Sequence, residues 1–451
     1  MIVSITKRYF VFGTFVLLFF LLFLSSEFQL IYWVNCIGFY TYYYVLHTAF
    51  RKPQSYYNRD TLKILVFFYL LIFVTLYNCV SFFYNGNFYV FSESDAVNYS
   101  NEASAMALKP IVESIVYYLN YFELEDLGIV FIISTLYRIV ESNLMLNAFY
   151  IFIGVSTALS IFRLSKNFIS IKYSFLCSLA YSISSFVIWF HSSGLKESFL
   201  VMLIVFFYDY YFLFAKYKKL KWLICSITCL FLILFFRPVI IIFCIASVGF
   251  TMLFSKGKPG RKIALLLTFI ILVFSISSFL TSILSRFIGG GGVEQMLAAQ
   301  AAEGMIVNSI QFTYQVNILA TAIGPLPTVL PNVKPLLAFF STGLIYRVLI
   351  ATAFWMGVYY SIKSKSVQLY SLLFFIFMEM VSLVFILEAL ELRKSLPHFP
   401  FIYIIAFWFL DNFDRKEFLS PNVKSRIKFI WNLSSVLFLV IIFYWNFRVK
   451  T

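Results

Sequence analysis

Three carboxylates crowd one short stretch of this chain. Glu93, Asp95 and Glu102 all fall in FSESDAVNYSNE, residues 91–102, directly after a long apolar run. A carboxylate at a membrane surface can take the proton of a hydroxyl, or hold a metal that neutralises a phosphate. Asp95 and Glu93 are the candidate catalytic residues, with Glu102 and Glu113 behind them. Asp95 can equally serve as the N-cap of a helix over 96–108.

Cations recur at the turns between apolar runs. In HSSGLKES, residues 191–198, Glu197 suits the first turn of a helix, but Lys196 in the same turn opposes its dipole. An anionic ligand accounts for that lysine; snorkelling to lipid headgroups is the alternative. Arg237 precedes Pro238, which fits the first position of a new helix. Its planar fork would grip a phosphate with two hydrogen bonds, or it merely complements the preceding helix end. The segment 388–400 holds Glu388, Glu391, Arg393, Lys394 and His398 within eleven residues, a composition suited to a phosphate or a sugar. Arg286 stands just before Gly289-Gly290-Gly291-Gly292, a flexible stretch that can bring backbone N–H groups to an anion. Arg347 and Glu379 fall inside apolar runs, where a charge is expected to face a cavity or a partner, including each other. Asp209 is expected to pair with nearby lysines. The six cysteines all fall in apolar runs and read as small buried hydrophobes, with neither a disulfide framework nor a metal site.

These residues need a scaffold, and the composition supplies one. The chain is 62% hydrophobic and 12% charged, with a mean hydropathy of +0.89, outside the range of soluble domains. At about 20 residues per crossing, an all-α, polytopic membrane protein of 12–13 helices is expected, as one transmembrane domain over residues 1–451. The spans are placed near 9–25, 28–48, 63–84, 143–162, 173–190, 195–215, 222–236, 238–254, 263–283, 336–361, 367–388, 399–411 and 429–447. Residues 9–25 read as a retained first helix, because no small-residue cleavage site follows. Short loops carry 24 of the 35 Lys and Arg but only 4 of the 20 Asp and Glu. That bias places them, and the N-terminus, in the cytoplasm. Two long segments, 85–142 and 284–335, then face the periplasm. Within the first, LGIVFIISTLYRI (128–140) is too short to span and is expected to lie in the interface or re-enter. The net charge of +15 is topological, favouring anionic lipid and not nucleic acid. No cytoplasmic loop is long enough for a nucleotide-binding domain, and no phosphate loop is present.

An acidic segment after an early span, a Ser-Gly-Leu-Lys-Glu turn, an Arg-Pro turn and the late Leu392-Arg393-Lys394-Ser395-Leu396-Pro397-His398-Phe399-Pro400 turn form a recognisable pattern. It resembles the Wzy-type polymerases of O-antigen and capsular polysaccharide repeat units. It also shares features with GT-C membrane glycosyltransferases, which use a polyprenyl-phosphate sugar. The resemblance implies a bacterial inner-membrane enzyme joining polyprenyl-diphosphate-linked oligosaccharides on the periplasmic face. Asp95 or Glu93 would be the base; Arg237, Lys196, Glu197, Arg286, Arg347, Arg393, Lys394 and His398 would bind substrate and diphosphate. No metal or cofactor is expected, since the diphosphate bond is already activated; partners would be membrane lipid and a chain-length regulator. A lipid-linked oligosaccharide flippase or transporter is the contrasting expectation.

Overall fold

The computed structural model describes residues 14, 29–86, 95–121, 124–254, 260, 310–324, 338–385, 392–414 and 420–448. Glu93, Arg286, Gly289–Gly292, Glu388, Glu391, the expected span 263–283 and, apart from residue 14, the expected span 9–25 lie outside them. Among the described residues all regular structure is helical and there is no strand. That is the solution lipid demands of a single segment, because a helix satisfies its backbone polar groups internally.

In chain order the helices are α1 (Gln29–Phe50), α2 (Arg59–Asn85), α3 (Asp95–Ala107), α4 (Ile111–Tyr121), α5 (Leu124–Tyr137), α6 (Asn143–Ser165), α7 (Ile171–Ser182) and α8 (Ser185–Ser192). They continue with α9 (Glu197–Tyr217), α10 (Leu220–Ile233), α11 (Pro238–Phe254), α12 (Ile310–Ile323), α13 (Ala338–Lys363), α14 (Tyr370–Phe385), α15 (Phe399–Asp414) and α16 (Pro421–Arg448). Sequence chemistry sets several ends. The Asn58 side chain accepts from Thr61 N at 2.8 Å to cap α2, and Gly86 closes it in the left-handed conformation. Ser142 caps α6 through Leu144 N at 3.2 Å.

The protein is a multi-pass membrane protein. Six of the described helical stretches are long and apolar enough to cross, those of α2, α6, α9, α13, α14 and α16. The pair α7–α8, bent by 52° at its break, makes a seventh if taken as one span. Hydropathy averaged along a sequence does not see breaks. The apolar run 173–190 is interrupted at Ile183–Ser184, and the Arg237-Pro238 turn leaves α10 and α11 short, at 14 and 17 residues. The segment 85–142, expected as a long loop, is largely helical, forming α3, α4 and α5. Of 284–335, the described part is α12 and Gly324.

Two ends of the bundle are distinguishable. Over its 21 residues α9 rises about 30 Å. One end gathers Lys196, the α3–α5 unit, the Arg237 turn and the 3-10 turn Leu392–His398. The other gathers the short basic loops. There Arg163 pairs with Asp209, Ser170 N and Oγ donate to Asp411 at 2.8 and 3.0 Å, and Tyr173 donates to Asp414. Asp209 thus takes an arginine of α6 in place of the expected lysines. Between the ends, α13 packs against α1, α8 and α15.

Candidate functional site

The α3–α5 unit is assembled by a few polar clamps. Arg138, just beyond α5, donates to Met106 O (2.9 Å), Lys109 O (2.6 Å) and Ser114 Oγ (3.2 Å). Ser104 donates to Glu141 at 2.7 Å. On α3, Asp95, Tyr99 and Glu102 follow at helical spacing and so share a face. That face meets the start of α5, where Tyr99 donates to Asp126 Oδ1 at 2.9 Å.

A glycine docks this unit onto the rest of the protein. Gly128 N donates to Phe235 O at 3.0 Å, and a Cβ at 128 would stand 2.8 Å from that oxygen and 2.7 Å from the Phe236 ring. Only hydrogen fits. The contact ties α5 to the turn that carries Arg237, and Pro238 opens α11 as its fixed φ favours.

Of the ten residues to which the resemblance gives roles, Asp95, Lys196, Glu197, Arg237, Arg393 and His398 form close pairs here, and Glu379 joins them. Arg393 pairs with Asp95, both about one-third exposed. Lys196 reaches Asp126 at 2.5 Å and Glu125 O at 3.3 Å, so the anion that accounts for this lysine is a carboxylate of the chain itself. Arg237 stands 4.0 Å from the buried Glu197. His398 Nδ1 approaches Glu379 Oε2 at 3.4 Å without hydrogen-bond alignment, both side chains buried. Tyr99 interacts electrostatically with Asp126, Glu197 and Asp95, and Arg237 with Glu379, which knits the pairs into one cluster. Burial, then those three carboxylates, push the Tyr99 phenol well above its usual range. Burial likewise lifts the Glu102 carboxyl above its usual 4.5, opposed by a hydrogen bond from Tyr118 and aided by Asp126. Lys394 lies partly buried on the same turn as Arg393.

Of the alternatives open to Arg347, pairing with Glu379 is not the one taken; Glu379 faces His398. The Arg347 side chain is fully buried; Nη1 donates to Ile323 O at 3.2 Å, while Nε and Nη2 have no hydrogen-bond partner. Phe399 and Phe354 stand 5.5 and 6.0 Å from its guanidinium. Gly324, at φ +102°, lies so close that a Cβ there would be 2.5 Å from Arg347 Cγ. The free edge, Nε with Nη2, is the one that grips an oxyanion side-on. Phe399 follows His398 directly, so this arginine borders the cluster.

No protein-family model, curated protein or solved structure matches the chain. The chemistry therefore rests on the residues alone. Among the described residues no three His, Cys, Asp or Glu are placed to hold a metal ion. What the cluster offers is proton transfer by its carboxylates and anion binding by its arginines. Asp126 and Tyr99 were not singled out from sequence. Their signals were faint: Asp126 reads as an ordinary first-turn acid of α5, and Tyr99 as one of 31 tyrosines.

Proposed function

We propose that the protein is a membrane glycosyltransferase that polymerises oligosaccharide repeat units carried on polyprenyl diphosphate, as its sequence resemblance implies. In this reading it sits in the bacterial inner membrane with its N-terminus cytoplasmic, and the Asp95–Arg393 end faces the periplasm. The observation that carries the proposal is the convergence of acids and arginines from α3, α5, α9, the Arg237 turn, α14 and the 392–398 turn on one cluster.

Asp95 accepts the proton of the incoming repeat unit's hydroxyl. The hydroxyl oxygen bonds to the anomeric carbon of the growing chain. The bond from that carbon to the lipid diphosphate breaks, and the diphosphate leaves with the electron pair. Arg237 and Arg393 steady the developing charge once their carboxylates yield them. Arg347, with no carboxylate to compete, supplies the free oxyanion-gripping edge. Preorganised donors of this kind contribute about 2.7–4 kcal/mol each to the transition state.

A transport reading has its own support in the break between α7 and α8 and in the buried Arg347, since transporters place broken helices and charges at mid-membrane. A deletion strain complemented with wild type, Asp95→Ala or Arg237→Ala decides between them. Loss of the long polysaccharide ladder with one repeat retained, and lipid-linked single repeats accumulating in the periplasm, is expected. Their accumulation in the cytoplasm, with every repeat lost, would establish the transporter. A normal ladder from both variants would remove this cluster from the chemistry.

A further inference from the structure

The segment 128–140 is expected from sequence to lie in the interface or re-enter. The helix α5, which covers most of it, is buried in the unit, with Leu127, Ile129, Val130, Ile133 and Tyr137 facing the interior; of the large hydrophobic residues in the segment, only Ile139 and Val140, beyond the helix, are strongly exposed. The surface of the α3–α5 unit that remains apolar belongs to α4. Its 11 residues rise only about 16 Å, far short of a bilayer crossing of about 30 Å. Its faces are sharply divided. Ser114 and Tyr118 are buried against the protein, with Ser114 Oγ donating to Met106 O at 2.9 Å and Pro110 O at 2.8 Å. Val112, Val116 and Leu119 share another face and are exposed, Val112 at 72%; Leu108, just before the helix, is 90% exposed. Glu113 and Asn120 occupy a polar flank.

A helix divided in this way is built to lie in a membrane surface. The stripe is continuous with a lipid-facing one. Arg138 holds the α3–α4 junction through Met106 O and Lys109 O; the exposed Ile139 and Val140 follow it in sequence and lead to Leu144, 78% exposed in the first turn of the membrane-crossing α6. The stripe therefore stands at the level where α6 enters the bilayer. Its rim also carries the matching charge: Lys109 Nζ lies 3.6 Å from the centroid of the Tyr117 ring. A cation beside a phenol is the pairing expected at headgroup phosphates.

We propose that α4 is an interfacial anchor, with its apolar stripe at the boundary of headgroups and acyl chains and Lys109 at the phosphates. The occupant of this face is the phospholipid bilayer. The anchor fixes α3, and with it Asp95, Tyr99 and Glu102, at the membrane surface.

Nitroxide scanning tests it on the full chain, with the native cysteines replaced, in vesicles of phosphatidylethanolamine and phosphatidylglycerol. Labels at 112, 116 and 119 are expected to be open to oxygen and shielded from a water-soluble nickel chelate. Labels at 113 and 120 should show the reverse, with a period of about 3.6 residues. Nickel access at 112 and 116 would place the stripe in water and overturn the proposal. Exclusion of both reagents there would overturn it too, because a second protein surface would cover the helix. Should the cysteine-free chain not fold, Val112→Trp in the native background separates the same two outcomes: lipids brominated high on the acyl chain quench the added fluorescence if the anchor is real, and acrylamide quenches it if not.

Discussion

The two ends of this bundle use the same residue types to different effect. At the basic end, acids act as fasteners. Asp411 takes both the backbone N–H and the hydroxyl of Ser170, Asp414 takes Tyr173, and Asp209 takes Arg163 through two nitrogens. Of the fully buried oxygens of these carboxylates, Asp209 Oδ1 lacks a hydrogen bond. At the Asp95 end the pairing is looser: Glu197 Oε2, both Glu379 oxygens and His398 Nδ1 lack hydrogen bonds, and the neighbouring Arg347 keeps two nitrogens free. Buried polar groups that are fully matched hold a fold. Groups left unmatched cost stability, and on the reading proposed above a ligand completes the set at the Asp95 end.

Substitution at each end breaks or sharpens that contrast. If the protein polymerises as proposed, Asp95→Asn is expected to lower polymerisation per folded molecule by about a hundred- to ten-thousandfold, the range of a lost general base. Asp411→Asn, at the other end, should leave that rate unchanged while weakening the fold by about 1–3 kcal/mol, since one of the two Ser170 groups then faces an amide NH2 in place of its acceptor. Rates normalised to correctly folded protein, beside unfolding midpoints, read both; equal rate losses at the two ends would erase the distinction.

Arg347→Met comes next. It removes a buried charge without a counter-ion, so the unfolding midpoint should rise, while polymerisation falls by about a hundred- to a thousandfold. A variant less stable than wild type would show that this arginine belongs with the fasteners. Gly128→Ala pushes a methyl group against Phe235 O and the Phe236 ring. The expected cost is about 1–3 kcal/mol, with a rate loss because the carboxylates of α3 and α5 shift from Arg237.

The smallest effect concerns pH. Glu102 has its carboxyl raised by burial, so the folded state holds that proton more tightly than the unfolded chain does. Its contribution to stability is complete below the ordinary carboxylate range and fades as pH rises through the raised folded value. Glu102→Gln should flatten this part of the pH–stability curve, which thermal unfolding between mild acid and neutrality will show.

The membrane character and the clustering of basic loops were legible because composition and charge sign need no tertiary information. Arg237 and Lys196 were legible as charges at the ends of apolar runs. Their counter-ions were not, since Asp126 meets Lys196 across 70 residues and Arg393 meets Asp95 across 298. Arg347 and Glu379 look like natural partners in sequence, two charges in neighbouring apolar runs. Packing separates them because the 392–398 turn brings His398 onto Glu379. Within 85–142 a helix over 96–108 was legible from Asp95 as a cap, and it stands as α3; α4 was not, because it is too brief for a strong hydropathy signal.

The bond between Gly128 and Phe235 is made wholly of main chain. A joint of that kind is indifferent to which side chains surround it, provided position 128 stays without one. The residues lining the cluster can then be exchanged, altering which molecules are accepted, without moving the carboxylate-bearing helices away from the arginine-bearing turn. One hydrogen atom in place of a methyl group thus separates what this protein must keep from what it is free to vary.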